Sequence, residues 1–290
     1  MSNAVDSLLD ILSLEKLEEN LFRGRSPQAM WQRVFGGQVI AQALMAATQT
    51  VAKDRRIHSL HGYFMRLGDA TVPIHYEVER IRDGGSFNTR RVVAIQKEKA
   101  IFSMSASYQI VEEGMSHQIE MPDIPMPEDL MSESEFKEKH LNDVPDVLRL
   151  FWKKERPLEL RPVDTRHFLT RDKLPPYQNV WVKAASALPE DPHIHQSVLA
   201  YASDMTLLDT SLFSHGRQFY NPDLQVASLD HSMWFHRSFK ADEWLLYTQD
   251  SPVTSGARGF TRGSLYTRDG TLVASTAQEG LIRLRGKKAN

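Results

Sequence analysis

The chain has 290 residues, 41% of them hydrophobic and 25% charged, the make-up of a soluble globular protein with one large domain or two ordinary ones. A formal net charge of −2 gives no electrostatic case for nucleic acid or an anionic membrane as partner. With no cysteine, disulfides, thiolate catalysis and cysteine-bound metals are excluded, and a reducing compartment fits.

The opening MSNAVDSLLDILSLEKLEEN has no basic leader and is too acidic for a transit peptide. No apolar run reaches the ~20 residues needed to span a bilayer, so a soluble, cytoplasmic protein is expected. Within residues 5–19, Leu8, Leu9, Ile11 and Leu12 fall at helical spacing, and LEENLFRGRSP reads as a strand leading to a turn. VFGGQVIAQALMAATQTVA, 34–52, predicts a buried helix opened by Gly36-Gly37, whose small residues suit close packing against a sheet. Strand-like runs follow at 58–67, 73–84 and 86–111, the last broken by the polar hinge QKEK into two arms.

From Glu112 to about Arg156 the chain becomes rich in Pro, Met and acidic residues, and a connector with a short helix around Asp143–Trp152 is expected. PLELRPV and YQNVWVKA are then strand-like, and HIHQSVLAYASDMTLLDTSLF (193–213) reads as one long helix. Four runs end the chain, at 224–239, 243–252, 258–270 and 271–285, with Asp269-Gly270 as a hairpin signal.

The order strand, long helix, four strands thus occurs twice. At an offset of 171 residues Phe64 meets Phe235, Arg66 meets Arg237 and Ala70 meets Ala241; Tyr76 meets Tyr247, Gly85 meets Gly256, Arg91 meets Arg262 and Ala106 meets Ala277. One long helix on a curved antiparallel sheet is the hotdog unit. The expected fold is therefore α+β, a tandem (double) hotdog with two long helices each wrapped by a sheet, the two sheets joined side by side so that edges are closed. The expected divisions are an N-terminal hotdog at 1–113, a connector at 114–156 and a C-terminal hotdog at 157–290.

There is no nucleophile elbow and no Gly-rich phosphate loop. His193 and His195 form an H-x-H pair, and His58 and His61 an H-x-x-H pair, but neither comes with a fuller ligand set, and no metal is expected. His58 is a candidate general base by residue type. Ser228, Asp230 and His231 suggest a triad, yet positions i and i+3 of a strand face opposite ways. Asp204 lies beside an apolar stripe, Ser228 in VASL and Gln278 in VASTAQEGL. Each can be a satisfied core polar group. Together, a carboxylate, a hydroxyl and an amide can hold and polarise one water, although spacing alone does not bring them together.

The sequence resembles the acyl-CoA thioesterase II family of double-hotdog enzymes. The resemblance is carried by VFGGQVIAQAL, HSLHGYFMRLGD and RDGGSFNTRRVVAIQ in the first half. In the second it is carried by LAYASDM, SLDHSMWFHRSF, EWLLY, SGARGFTRG and LVASTAQEG. It implies hydrolysis of acyl-CoA to free fatty acid and CoA by a water that Asp204, Ser228 and Gln278 activate, with Asp204 as general base. It implies no cofactor, and association into dimers or tetramers. Ser228 departs from the Thr expected there, keeping the hydroxyl but losing the β-branch that restricts χ1. Arg258, Arg262 and the RLRGKK tail are available for CoA phosphates. The rival readings are a non-catalytic acyl-CoA-binding module and a hotdog enoyl-CoA hydratase.

Overall fold

The computed structural model describes residues 4–27, 33–144, 146, 149, 152, 153 and 155–286. In the first half six strands, β1 (Glu15–Glu18), β2 (Leu21–Gly24), β3 (Arg56–Phe64), β4 (Ile74–Asp83), β5 (Phe87–Gln96) and β6 (Lys99–Gln109), wrap a central helix, Gly36–Thr48. In the second half seven strands surround a second central helix, Pro192–Ser203. They are β7 (Leu158–Pro162), β8 (Tyr177–Ala184), β9 (Leu224–Ser228), β10 (Asp230–Phe235), β11 (Leu245–Ser255), β12 (Arg258–Thr267) and β13 (Leu272–Leu284).

All thirteen belong to one antiparallel sheet, ordered β1-β2-β4-β5-β6-β3-β10-β13-β12-β11-β8-β7, with β9 also paired to β13. Read outward from the β3–β10 seam, the two halves have the same order, and β9 with β10 occupies the place of β3. At the seam His61 lies opposite Ser232. These two are also 171 positions apart, so the internal two-fold passes through this pair. This is the expected double hotdog.

The strands form because their apolar residues alternate. Along β5, Arg90, Val92, Ala94 and Gln96 are buried while Phe87 and Arg91 face outward. The first central helix has no polar face: ten of its thirteen residues are buried, among them Ala41, Ala43, Ala46 and Ala47, because sheet and partner helix cover it all round. Its buried Gln42 is satisfied, donating to the carbonyls of Ile11 (2.6 Å) and Arg25 (2.9 Å) and accepting from the Tyr76 hydroxyl (2.7 Å). Among the described residues no helix is long and apolar enough to cross a membrane.

Four expectations need correction. The N-terminal helix spans only Ala4–Leu12, and β1 takes up the residues that follow. The run 193–213 is two helices, Pro192–Ser203 and Thr210–Phe213, separated by turns. The run 224–239 is broken at Leu229 into β9 and β10. The connector holds a helix at Glu133–His140 that was not expected; its S-x-x-E signal is a capping box, in which Ser132 and Glu135 satisfy each other's backbone N–H groups. The helix expected around Asp143–Trp152 lies largely outside the described residues. The Asp269-Gly270 turn is as expected, with Gly270 at φ 85°.

Candidate active site

The site forms where the second central helix ends. Asp204 is the C-cap of that helix (φ −90°, ψ −1°), not a mid-helix residue, and the helix end is anchored from below. The Tyr247 hydroxyl donates to the Ser203 carbonyl at 3.0 Å. His231 Nε2 stands 2.9 Å from Ser203 Oγ, and burial lowers this histidine to about 4, so it is a neutral structural group. With the last helical residue fixed, Asp204 has a defined direction.

Ser228 and Gln278 come to it from two strands. β9 stops at Ser228, and Leu229 bridges two strands: its N–H donates to the Glu279 carbonyl at 2.9 Å while its carbonyl accepts from Phe64 N–H at 2.8 Å; Asp230 Oδ1 accepts from Glu279 N–H at 2.6 Å just beyond. Gln278 lies in β13 opposite Thr261 and is fully buried. Its Nε2 donates to Asp204 Oδ1 at 2.6 Å, and Ser228 Oγ donates to the same oxygen at 3.3 Å. Gln278 Oε1 is buried with no hydrogen-bond partner among the described residues, which leaves it free to accept from a water or substrate.

The third contact comes from the other half of the molecule. The Gly37 backbone N–H donates to the Asp204 carboxylate. A Cβ on Gly37 would stand 2.4 Å from the Tyr201 carbonyl oxygen, and one on Gly36 2.6 Å from Asp204 Oδ2. Gly36-Gly37 therefore permits close approach as expected, but to the second central helix and its carboxylate rather than to the sheet. Desolvation pushes Asp204 up to about 6, against the lowering effect of these hydrogen bonds. Asp209, also desolvated and repelled by Asp204, is pushed up to about 7.

What surface Asp204 keeps open gives onto a cavity of about 410 Å³. From Gly36 and Asp204 its walls pass Met205, Leu208 and Val180 to Phe136, Trp152, Phe168 and Phe219. The connector helix thus covers the cavity: Phe136 is 8% exposed and sits with its ring 5.6 Å from that of Trp152. Glu133, Lys137 and Arg156 form an ion-paired cluster in the same wall. A second cleft, of about 320 Å³, shares Gly36 and Ser228 with the cavity and is lined by Arg33, Phe64 and Arg66.

The other candidates are elsewhere. His58 Nε2 is 2.8 Å from Ser107 Oγ, and His58 packs edge-on to Phe87. Ser228 and His231 make separate contacts, so no Ser-Asp-His triad exists. His195 Nδ1 accepts from Ala241 N–H, and among the described residues no group of ligating side chains could hold a metal. Arg258 and Arg262 are exposed and paired with Glu279 and Asp250, as ordinary surface residues are. Sequence reasoning missed Asp209, the Gly37 contact and the connector wall; only the S-x-x-E motif of the connector carried a readable signal.

Two family models match the chain, one described as "Acyl-CoA thioesterase" over residues 148–281 and one as "Acyl-CoA thioesterase N-terminal domain" over 25–109. The chain is 40% identical to "Acyl-CoA thioesterase 2" of Haemophilus influenzae, over 98% of this chain and 99% of that protein. It is 41% identical to "Acyl-coenzyme A thioesterase 8" of Homo sapiens, over 95% and 88%. Among solved structures, an acyl-CoA thioesterase II, TesB2, from Mycobacterium marinum is 44% identical, with a TM-score of 0.79 over 96% of this chain and 98% of that one. A hot dog fold protein from Alicyclobacillus acidocaldarius, 19% identical with a TM-score of 0.77, shares the fold.

Proposed function

The chain belongs to the acyl-CoA thioesterase family, and on that footing we propose how it hydrolyses acyl-CoA to a free acid and CoA. Asp204, Ser228 and Gln278 are the catalytic residues. The observation that carries this is the Asp204 carboxylate, desolvated at the end of an apolar cavity and tied to Gln278 and Ser228 through one oxygen.

The acyl chain lies in the cavity and the CoA portion in the cleft lined by Arg33 and Arg66, so that the thioester falls where the two meet, at Gly36 and Ser228. A water held between Gln278 Oε1 and Asp204 attacks the carbonyl carbon while Asp204 takes its proton. A carboxylate held near 6 is ionised at neutral pH and basic enough to do so. The N–H groups that open the first central helix, apart from the Gly37 N–H already given to Asp204, carry the positive end of its dipole; they favour the developing oxyanion. The tetrahedral intermediate expels the thiolate, and protonated Asp204 returns its proton to the sulfur. No acyl-enzyme forms.

The division at 1–113, 114–156 and 157–290 is supported by the two-fold order of the sheet and by the separate family matches. Association into dimers or tetramers is supported by aromatic residues left exposed on the sheet, Tyr63 (66%) and Trp234 beside the β3–β10 seam and Phe87 at the start of β5. A cytoplasmic location accords with the cysteine-free composition.

The test is thiol release from short-, medium- and long-chain acyl-CoA by wild type and Asp204→Asn; the cysteine-free chain adds no thiol background. A loss of about 100-fold or more in a folded Asp204→Asn supports the general base. Full activity in that variant overturns the mechanism, and binding without turnover in wild type makes the protein a binding module.

A further inference from the structure

An internal two-fold produces two versions of each cleft. The cleft at the catalytic groups is lined by Phe64–Gly68 and Ala227–Leu229. Shifted by 171 residues, those segments become Phe235–Phe239 and Arg56–His58, and all eight positions line a single other cleft, of about 960 Å³. The helix starts correspond as well, Gly36 opening onto the first cleft and Pro192 onto the second.

We propose that this larger cleft is a second, non-hydrolytic binding site for coenzyme A, taking the phosphorylated nucleotide end. The inference rests on the reading that the first cleft receives the CoA portion of the substrate. The second lacks the means of hydrolysis. Ile57 stands in the place of Ser228 and Ser107 in that of Gln278, while Gln49 caps the first central helix as Asp204 caps the second. None of these three equivalents is a carboxylate that could take a proton from water.

What it retains is cationic. Arg237 is the counterpart of Arg66, and Arg56 stands where the catalytic cleft has Ala227. Arg56 opens β3 and Arg237 lies two residues past the end of β10, strands whose pairing ends with Trp234 opposite Ser59. Arg237 donates to the Leu272 carbonyl and to Ser116 Oγ, and Arg56 to the Lys53 and Arg55 carbonyls. Among the described residues neither has a carboxylate partner, so both keep charge to give to phosphate. Glu112, Glu190, Glu243 and Asp269 also line the cleft, so the attraction comes from these two placed guanidiniums and not from net charge. Gln196 lines the cleft beside His193, and its buried Oε1 can accept only from a donor such as an amine or hydroxyl of the nucleoside, not from phosphate.

The experiment is titration of free CoA into the full chain by calorimetry, with initial rates of thiol release measured on the same samples. Wild type should bind two CoA per chain. Arg56→Glu/Arg237→Glu should keep one site and lose the other by about tenfold or more, with its initial hydrolysis rate within about twofold of wild type. Arg56→Gln/Arg237→Gln gives the same reading should charge reversal disturb folding. A wild type that hydrolyses acyl-CoA yet binds one CoA per chain overturns the inference alone, as does a double variant that keeps both sites. A wild type that neither hydrolyses acyl-CoA nor binds CoA overturns the catalytic reading and this one with it.

Discussion

Gly36 and Asp204 belong to different repeats, yet a methyl group on Gly36 would stand 2.6 Å from Asp204 Oδ2 and 3.0 Å from the Phe64 ring. The start of one central helix is thus fitted to the carboxylate at the end of the other. Gly36→Ala should displace the carboxylate and lower kcat by roughly 10- to 100-fold. Overpacking should cost about 1–3 kcal/mol of stability. Steady-state rates and a thermal melt measure both; an unchanged kcat would show that Asp204 tolerates displacement.

Activity and stability should respond to pH in opposite senses. Asp204 at about 6 and Asp209 at about 7 are raised above the ordinary aspartate value of 3.8 by burial. The stability each group supports is complete below the unfolded value and lost as pH rises through the folded one, because the ionised form is the one that burial penalises. kcat/KM should instead rise through about pH 6, as the base ionises. Asp204→Asn should therefore stabilise the fold at pH 8 by roughly 1–3 kcal/mol and do little at pH 4. Denaturant unfolding at the two pH values decides this, and equal effects at both would contradict it.

In the proposed mechanism the hydroxyl at position 228 is the working group and the β-branch a refinement. Ser228→Thr keeps the donor to Asp204, 3.3 Å away, and narrows χ1; it should match or exceed wild type. Ser228→Ala should lose about tenfold in kcat. An inactive Thr variant would mean that the site has no room for the added methyl group.

Phe136 closes the far part of the cavity and is 8% exposed. Phe136→Ala should cost about 3 kcal/mol and shift the preferred acyl chain toward greater length, because the cavity gains volume there. A chain-length series of kcat/KM values shows the shift, and an unchanged order of preference would place the acyl chain elsewhere.

His58 lines the larger cleft of about 960 Å³ and bonds Ser107, away from Asp204. His58→Ala should leave hydrolysis within about twofold of wild type. A large loss in a folded protein would return His58 to consideration as the base.

Much of this was already present in the order of residues. Alternating runs defined the strands, the Asp269-Gly270 dipeptide fixed its turn, and the offset of 171 residues exposed the repeat, because hydrophobic period and turn chemistry act locally. Asp204, Ser228 and Gln278 stood out as polar residues in apolar surroundings. What the sequence could not supply was their meeting. Two helix positions were hidden in one apolar run, since helical periodicity continues past Ser203 although the helix does not; the anchoring of Ser203 by Tyr247 and His231 decides where it ends. The break at Leu229, the reach of Gly37 across the molecule and the cover given by Phe136 depend on residues far apart in the chain. Such contacts carry no local signature, and only the closing of the one continuous sheet around both helices brings them about.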